Sequence, residues 1–343
     1  MATTPDNIVR KLLDVGLSQE LVDASMPDWW LPQDQESPSA RALASLLLAR
    51  RLSIDPETLL DDGVPVGFLH TEPTKFKHMR LADGPRRDAL IAFAHGVSRI
   101  LLSMAEDEAG RTVPADPLTL RKALLDPDHP FVSFGDVLAA CWSLGVPVLQ
   151  LRLFPARTKG VTAIAVRLRQ RHAILVARET GFEAQYMFHV AHELGHIALG
   201  HLDDAGAIFD ADPDDPDNRA DELIDDEEEQ AADSYAQALL TGSANFNVVR
   251  LDLTRNDAKL GTASELAERA IGTGLGLGVD PGHIVMCFGH STKEWGLANA
   301  AAKLLPRQPD KPGTLVNKVL WEQLSRSAQD DQAVAFLKAV APV

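Results

Sequence analysis

The stretch MFHVAHELGHIALGH runs from Met187 to His201. Its first ten residues hold three histidines, His189, His192 and His196, and one glutamate, Glu193, in an otherwise apolar run. The spacing predicts an α-helix with a metal-binding face. His192 and His196 are four residues apart, about 400° around a helix, so both rings project from one face within reach of one ion. Glu193 lies about 100° round from His192. It does not join the pair as a ligand, but it can lean over the ion's open position. This is the HExxH pattern: two neutral imidazoles hold zinc, and the glutamate takes a proton from the zinc-bound water and delivers it to the leaving amine. Phe188, Ala191, Leu194, Ile197 and Ala198 give the helix an apolar body. Its polar face is therefore buried or lines a cleft, where a His pair and a Glu need partners.

Catalytic zinc takes a third protein ligand. His201 is one candidate, but on a continuing helix it would point roughly opposite His192. A helix-end role, or support of a ligand, suits it better. The better candidate is Glu229, because Asp233 follows it at i+4 on the same face. In that arrangement the glutamate completes the site, and the aspartate accepts a hydrogen bond from a ligand histidine's other nitrogen. Glu227, Glu228 and Glu229 point about 100° apart in succession on a helix, so only one can face the ion, and Glu227 and Glu228 have alanines at i+4. Glu229 also precedes the apolar stripe Ala232, Tyr235, Ala236 and Leu239. The competing reading is a solvated acidic helix start, since Asp225 to Glu229 is a run of five acids.

The chain has 343 residues, 45% hydrophobic and 24% charged, with a formal charge of −16. This composition supports a sizeable core in one or two domains and argues against wholesale disorder. The negative charge weighs against general nucleic-acid binding and against an anionic membrane surface. No run approaches about 18 apolar residues, and MATTPDNIVRKLLDVG lacks a signal-peptide core. Cys141 and Cys287 sit in apolar contexts with no second cysteine at ligand spacing, and read as reduced core thiols. Together these features lead us to expect a cytoplasmic protein.

Three regions are expected. Residues 1–112 read as helical, from the apolar spacing in DNIVRKLLDVG and SARALASLLLARRL. A helical bundle is favoured there over a helix-turn-helix. One basic stretch interrupts it, KFKHMRLADGPRR, with Lys75, Lys77, Arg80, Arg86 and Arg87 against Asp83. It reads as a solvated loop, with docking to an acidic partner or a nucleic acid as the alternative. Residues 106–117 read as a linker. Residues 113–242 form the second region: a helix, the β-like runs PVLQLRLF, VTAIAVRL and HAILVAR, the HExxH helix, an acidic loop from His201 to Glu229, and the helix bearing Glu229. Residues 243–343 read as mostly helical. The fold class is α+β, with a small sheet and two metal-bearing helices between helical ends.

At FHVAHELGH (188–196) and EQAADSYAQALLTG (229–242) the chain resembles the ImmA/IrrE family of bacterial zinc-dependent endopeptidases. VLAACWSLGVPVLQL (137–151) is similar to that family's helix and strand before the hairpin, and 266–290 is similar to the end of its antitoxin-like members. Tyr235 replaces the usual Phe, and Thr241-Gly242 the usual Met-Pro. The likeness covers roughly 115–242. It implies a zincin-like core, Zn2+, a catalytic Glu193, ligands His192, His196 and Glu229, and Asp233 behind a ligand histidine. It further implies a protein substrate, often a DNA-binding regulator, and a place in stress or phage response.

The leading expectation is a zinc endopeptidase of narrow specificity. The alternative is a non-catalytic or antitoxin-like regulator that keeps the zincin fold as a binding module. A repressor binding DNA through residues 1–80 is disfavoured by charge. Asp210, Asp212 and Asp214 invite a calcium-loop reading, but Asp215 stands where glycine is needed and Asp221 where glutamate is needed. For stabilising an oxyanion, Tyr186, Tyr235, His172, His189 and Arg219 are equal candidates.

Overall fold

The structure is a computed structural model. It describes residues 7–69, 73–77, 84–106, 111–125, 130–155, 160–203, 206–211, 226–245, 261–306, 309–324 and 330–343. The fold is α+β: one five-stranded mixed sheet among many helices. In chain order the first elements are α1 (Asn7–Asp14), α2 (Gln19–Ser25), a 3-10 turn (Pro32–Glu36), α3 (Pro38–Leu52), α4 (Pro56–Leu60), β1 (Thr74–Lys77) and α5 (Pro85–Met104). Next come α6 (Pro117–Leu124), α7 (Phe134–Ser143), β2 (Val148–Gln150), β3 (Val161–Leu168), β4 (Arg171–Val176), α8 (Glu183–Ala198), β5 (Ala207–Ala211) and α9 (Glu227–Thr241). The chain closes with α10 (Ala263–Leu277), α11 (Pro281–Thr292), α12 (Trp295–Ala302), α13 (Pro312–Gln323) and α14 (Asp331–Val340). No helix among the described residues is long and apolar enough to cross a membrane.

Local chemistry starts these helices where they start. Asp55 caps α4 ahead of Pro56, and Asp226 caps α9 by accepting from the Glu228 amide. Ser133 with Asp136, and Thr262 with Glu265, form capping boxes for α7 and α10. β3 and β4 are rich in Val, Ile and Ala and join as a two-residue hairpin, with Arg169 in the left-handed region at φ 59°.

The sheet order is β1-β5-β3-β4-β2. β3 pairs antiparallel with both β4 and β5, while β1 lies parallel to β5 and β2 parallel to β4. Side chains alternate across it. Ile164, Val166, Leu175 and Phe209 enter one hydrophobic cluster with Phe93 of α5, whereas Ala165, Ile174 and Ile208 enter another with Val190 and Leu194 of α8. The sheet is thus a middle layer, with α5 on one face and α8, backed by α9, on the other.

Two expectations need correction. Residues 1–112 are not all helical, because Thr74–Lys77 forms the edge strand β1. The acidic stretch after His201 is not all loop, because Ala207–Ala211 forms the fully buried strand β5. Flanking lysines hide the apolar signal of Phe76, and surrounding acids hide that of AIFDA. In the fold Phe76 stacks on Phe209 at 5.0 Å. The three expected regions also share a core. One cluster takes Leu12, Leu48 and Phe93 from the first, Ile164 and Leu175 from the second, and Phe336 and Leu337 from the third. Both cysteines are free and buried, and burial pushes each thiol up to about 12.

Candidate metal centre

α8 lies under the sheet and α9 lies along α8. They pack tightly at Gly195, where an added Cβ would lie 3.1 Å from the Ala232 carbonyl oxygen and 3.1 Å from the Tyr235 Cβ. That approach brings the first turn of α9 up to the histidine face of α8. His192 Nε2 and His196 Nε2 are 3.0 Å apart. Glu229 closes the triangle, with Oε2 3.3 Å from His192 Nε2 and Oε1 3.2 Å from His196 Nε2. All three residues are buried, at 4%, 0% and 5% exposure, so these polar groups meet where water does not screen them. Their ligand atoms lie within 4.8 Å of one another and could hold a metal ion. Two imidazoles and a carboxylate suit a divalent ion such as zinc.

The other ring nitrogens are also engaged. His192 Nδ1 is 2.9 Å from Asp233 Oδ1, and His196 Nδ1 is 2.8 Å from His201 Nδ1. His201 therefore meets His196 from beyond the helix end and does not join the triangle. Burial opposes charge on His192, but Asp233 and Glu229 outweigh it and hold its pKa well above the ordinary value. Burial wins at His196 and lowers it to about 4. An ion would require both rings neutral, so binding one would release the His192 proton.

Glu193 is wholly buried, and neither carboxylate oxygen makes a geometrically sound hydrogen bond among the described residues. Burial first, then the charge of Asp210, hold its carboxyl well above the usual range, against the pull of His192. A buried carboxyl with so little polar support is costly, and such groups concentrate at functional sites.

The three consecutive glutamates separate as helical geometry requires. Glu229 faces the histidines, Glu227 is exposed, and Glu228 turns to the sheet edge. There Glu228 pairs with Lys75 at 2.8 Å and Lys77 at 2.9 Å, and Lys77 also pairs with Asp226 at 2.5 Å. The basic stretch read as a solvated loop thus neutralises the acidic start of α9. Arg87 of the same stretch stacks over Phe76 at 4.8 Å, while Arg80 and Asp83 lie outside the described residues.

Sequence reading missed Asp210 and Lys77 as neighbours of this site. Asp210 Oδ2 is 4.0 Å from His192 Nε2, and Lys77 Nζ is 3.9 Å from Glu229 Oε1. The available signal was the alternation of AIFDA, which sends Asp210 to the same face as Ile208. Of the calcium-loop residues, Asp212, Asp214, Asp215 and Asp221 lie outside the described residues, as does Arg219. Two oxyanion candidates are committed elsewhere: Tyr186 donates to Gln150 Oε1 at 2.6 Å, and Tyr235 donates to the Pro114 carbonyl at 2.9 Å. Burial lowers His172 to about 4 and His189 to about 3, so both are neutral near pH 7. His172 sits opposite Arg167 in the β3–β4 hairpin.

Comparison with protein-family models, with curated proteins and with solved structures found no match for this chain.

Proposed function

We propose that this chain is a zinc-dependent endopeptidase of narrow specificity with a zincin-like core, of the ImmA/IrrE type. The observation that carries the reading is a buried His192–His196–Glu229 triangle beside a wholly buried Glu193. A site for structural metal alone has no use for an extra buried carboxylate, whose burial is costly. When bound, zinc supplies Lewis acidity and lowers the pKa of a water towards about 7.

The chain's own residues do the rest. His192, His196 and Glu229 hold the ion. Asp233 accepts from His192 Nδ1 and leaves Nε2 free for the metal, and His201 does the corresponding work for His196. Glu193 takes a proton from the attacking water and passes it to the leaving amine. Its raised pKa suits a group that must both accept and release that proton. The substrate is a protein, by the resemblance a DNA-binding regulator. The net charge of −16 fits a protein partner better than direct contact with nucleic acid.

The deep burial of the triangle favours a second reading, a non-catalytic module that keeps the fold for binding. Glu193→Gln separates the two. It should retain about one zinc per chain and lose cleavage by about two to four orders of magnitude. Used as bait in the native cell, the same variant should enrich one protein substrate. Loss of zinc from it would mean that Glu193 is a ligand. A wild-type chain that binds zinc but cleaves no co-enriched protein would favour the module.

A further inference from the structure

β1 is a four-residue strand, TKFK, laid in parallel register along the edge of β5. Successive side chains take opposite faces of the sheet. Phe76 turns to the α5 face and stacks on Phe209 at 5.0 Å. Lys75 and Lys77 turn to the α8 face, and both meet the start of α9. Lys75 Nζ donates to Glu228 Oε1 at 2.8 Å and to the His201 carbonyl at 3.0 Å. Lys77 Nζ donates to Asp226 at 2.5 Å and to Glu228 at 2.9 Å, and lies 3.9 Å from Glu229 Oε1. Asp210, its register partner on β5, comes within 4.0 Å of His192 Nε2. β1 therefore flanks the His192–His196–Glu229 triangle from the sheet edge.

TKFK has little strand character of its own, since lysine is depleted in strands. Its place on β5 supplies what the sequence lacks: a row of backbone partners, a ring to stack on, and acids to meet each lysine. By these means a sheet edge takes up an extended peptide, with main-chain bonds giving affinity and alternate side-chain sites giving specificity. The place also lies where a protein chain must come to be cut. The three triangle residues are at most 5% exposed, so a segment reaches them only if a neighbouring element yields. β1 lies at the edge of the sheet and is fastened on this face by ion pairs, which weaken with salt.

We propose that the β5 edge is a docking edge for an extended segment of the protein substrate, and that β1 occupies it as an internal stand-in. The resident strand states the chemistry of the incoming one: a basic residue on either side of an apolar one. The bases turn to Asp226 and Glu228, and the apolar side chain turns to Phe209. The inference rests on the reading of the centre as a peptide-cleaving metal site. It adds which part of a substrate is recognised. Basic segments of this kind belong to proteins that bind nucleic acid, because phosphate contacts need lysine and arginine.

The test uses the full chain and a fluorescein-labelled peptide, PTKFK, copied from residues 73–77. In the wild type the tethered strand competes with it at high effective concentration. In Lys75→Ala/Lys77→Ala the tethered strand is weakened. Fluorescence anisotropy should then show the peptide bound about tenfold tighter, the scale of two partly exposed ion pairs. The charge-reversed peptide PTEFE should bind neither protein. A second variant keeps both lysines. Thr74→Cys/Ala207→Cys joins register partners, which neighbouring strands hold about 4.8 Å apart, within disulfide range. Oxidised, it should bind less PTKFK than after reduction. It should also pass loaded zinc to a chelator at least about tenfold more slowly. A strand that merely braced the sheet would leave zinc transfer unchanged by the lock. Equal binding of PTKFK to the lysine variant and the wild type, PTEFE binding as well as PTKFK, or zinc transfer unchanged by the lock overturns the proposal. Should the lysine variant fail to fold, the lock alone decides. A wild-type chain that binds no divalent ion overturns the metal reading itself, an outcome told apart because peptide binding needs no ion.

Discussion

His192 Nδ1 lies 2.9 Å from Asp233 Oδ1, a link from α8 to the second turn of α9. A carboxylate there would fix the tautomer of a neutral ring: Nδ1 keeps a proton and donates it to Asp233, which would leave Nε2, on the side of His196 and Glu229, as the nitrogen that gives up its proton to an ion. Asp233 is 46% exposed, so its removal opens no cavity and should cost little stability. Its effect should fall on the metal. Asp233→Ala is expected to weaken zinc binding by about ten- to a hundredfold with a nearly unchanged melting temperature. Competition with a calibrated chelator measures the first and calorimetry the second. Equal zinc affinity in variant and wild type would remove Asp233 from the site.

Gly195 lies between His192 and His196 in sequence and carries no chemistry of its own. Its role is distance. A methyl group there would meet the backbone of α9 at Ala232 as well as Tyr235, and backbone cannot rotate away. Gly195→Ala should push α9 outward and carry Glu229 away from His192 and His196. Overpacking of this kind costs about 1–3 kcal/mol, and zinc affinity should fall with it. Chemical denaturation and zinc titration of one preparation check both effects. A stabilised variant with full zinc binding would show that the helices have slack at this crossing.

Glu228 gives a prediction about acid. Burial works against its charge, but Lys75 and Lys77 prevail and bring its pKa down to about 2. An unfolded glutamate titrates near about 4.3. A lowered folded pKa adds stability that is fully present above the unfolded value and is lost as pH falls toward about 2. The wild type should therefore lose stability through that window. Glu228→Gln should be less stable at neutral pH and show a shallower acid loss. Urea unfolding at about pH 7, 4 and 3 would reveal it, and parallel slopes in the two proteins would count against the lysine pairing.

The site was more legible in the sequence than the sheet was. HExxH states its geometry through one rigid period, so His192, His196 and Glu193 follow from spacing alone. Glu229 was separable from Glu227 and Glu228 because only it has Asp233 at i+4 and leads an apolar stripe. The strands nearest the site obeyed no such local rule. β1 spans four residues, two of them lysines, and becomes a strand only because β5 offers it a partner more than a hundred residues away. Asp210 was noticed for its acidic neighbours, whereas its place depends on which face of β5 it shares with Ile208. The pairing of KFK with the acids at the start of α9 is likewise long-range, and no window of sequence contains both halves. Gly195 was visible as a letter within the motif, but its reason, the backbone of α9, belongs to the packing.

Glu193 makes the ion-free protein sensitive to alkali. Burial, then Asp210, hold its carboxyl well above the usual range, so the folded ion-free chain keeps that proton where the unfolded chain has released it. With more protons bound folded than unfolded, stability falls as pH rises above about 4.3, and it keeps falling up to the folded pKa. Glu193→Gln has nothing to titrate and should flatten this fall. The ion-free variant should therefore gain stability relative to the ion-free wild type as pH rises from about 5 to about 8. Zinc should narrow the difference, since a cation beside Glu193 favours its charged form. Urea unfolding of metal-stripped wild type and variant at about pH 5 and about pH 8 tests this directly. If the two proteins lose stability in parallel between those values, Glu193 is not the group whose proton is being held.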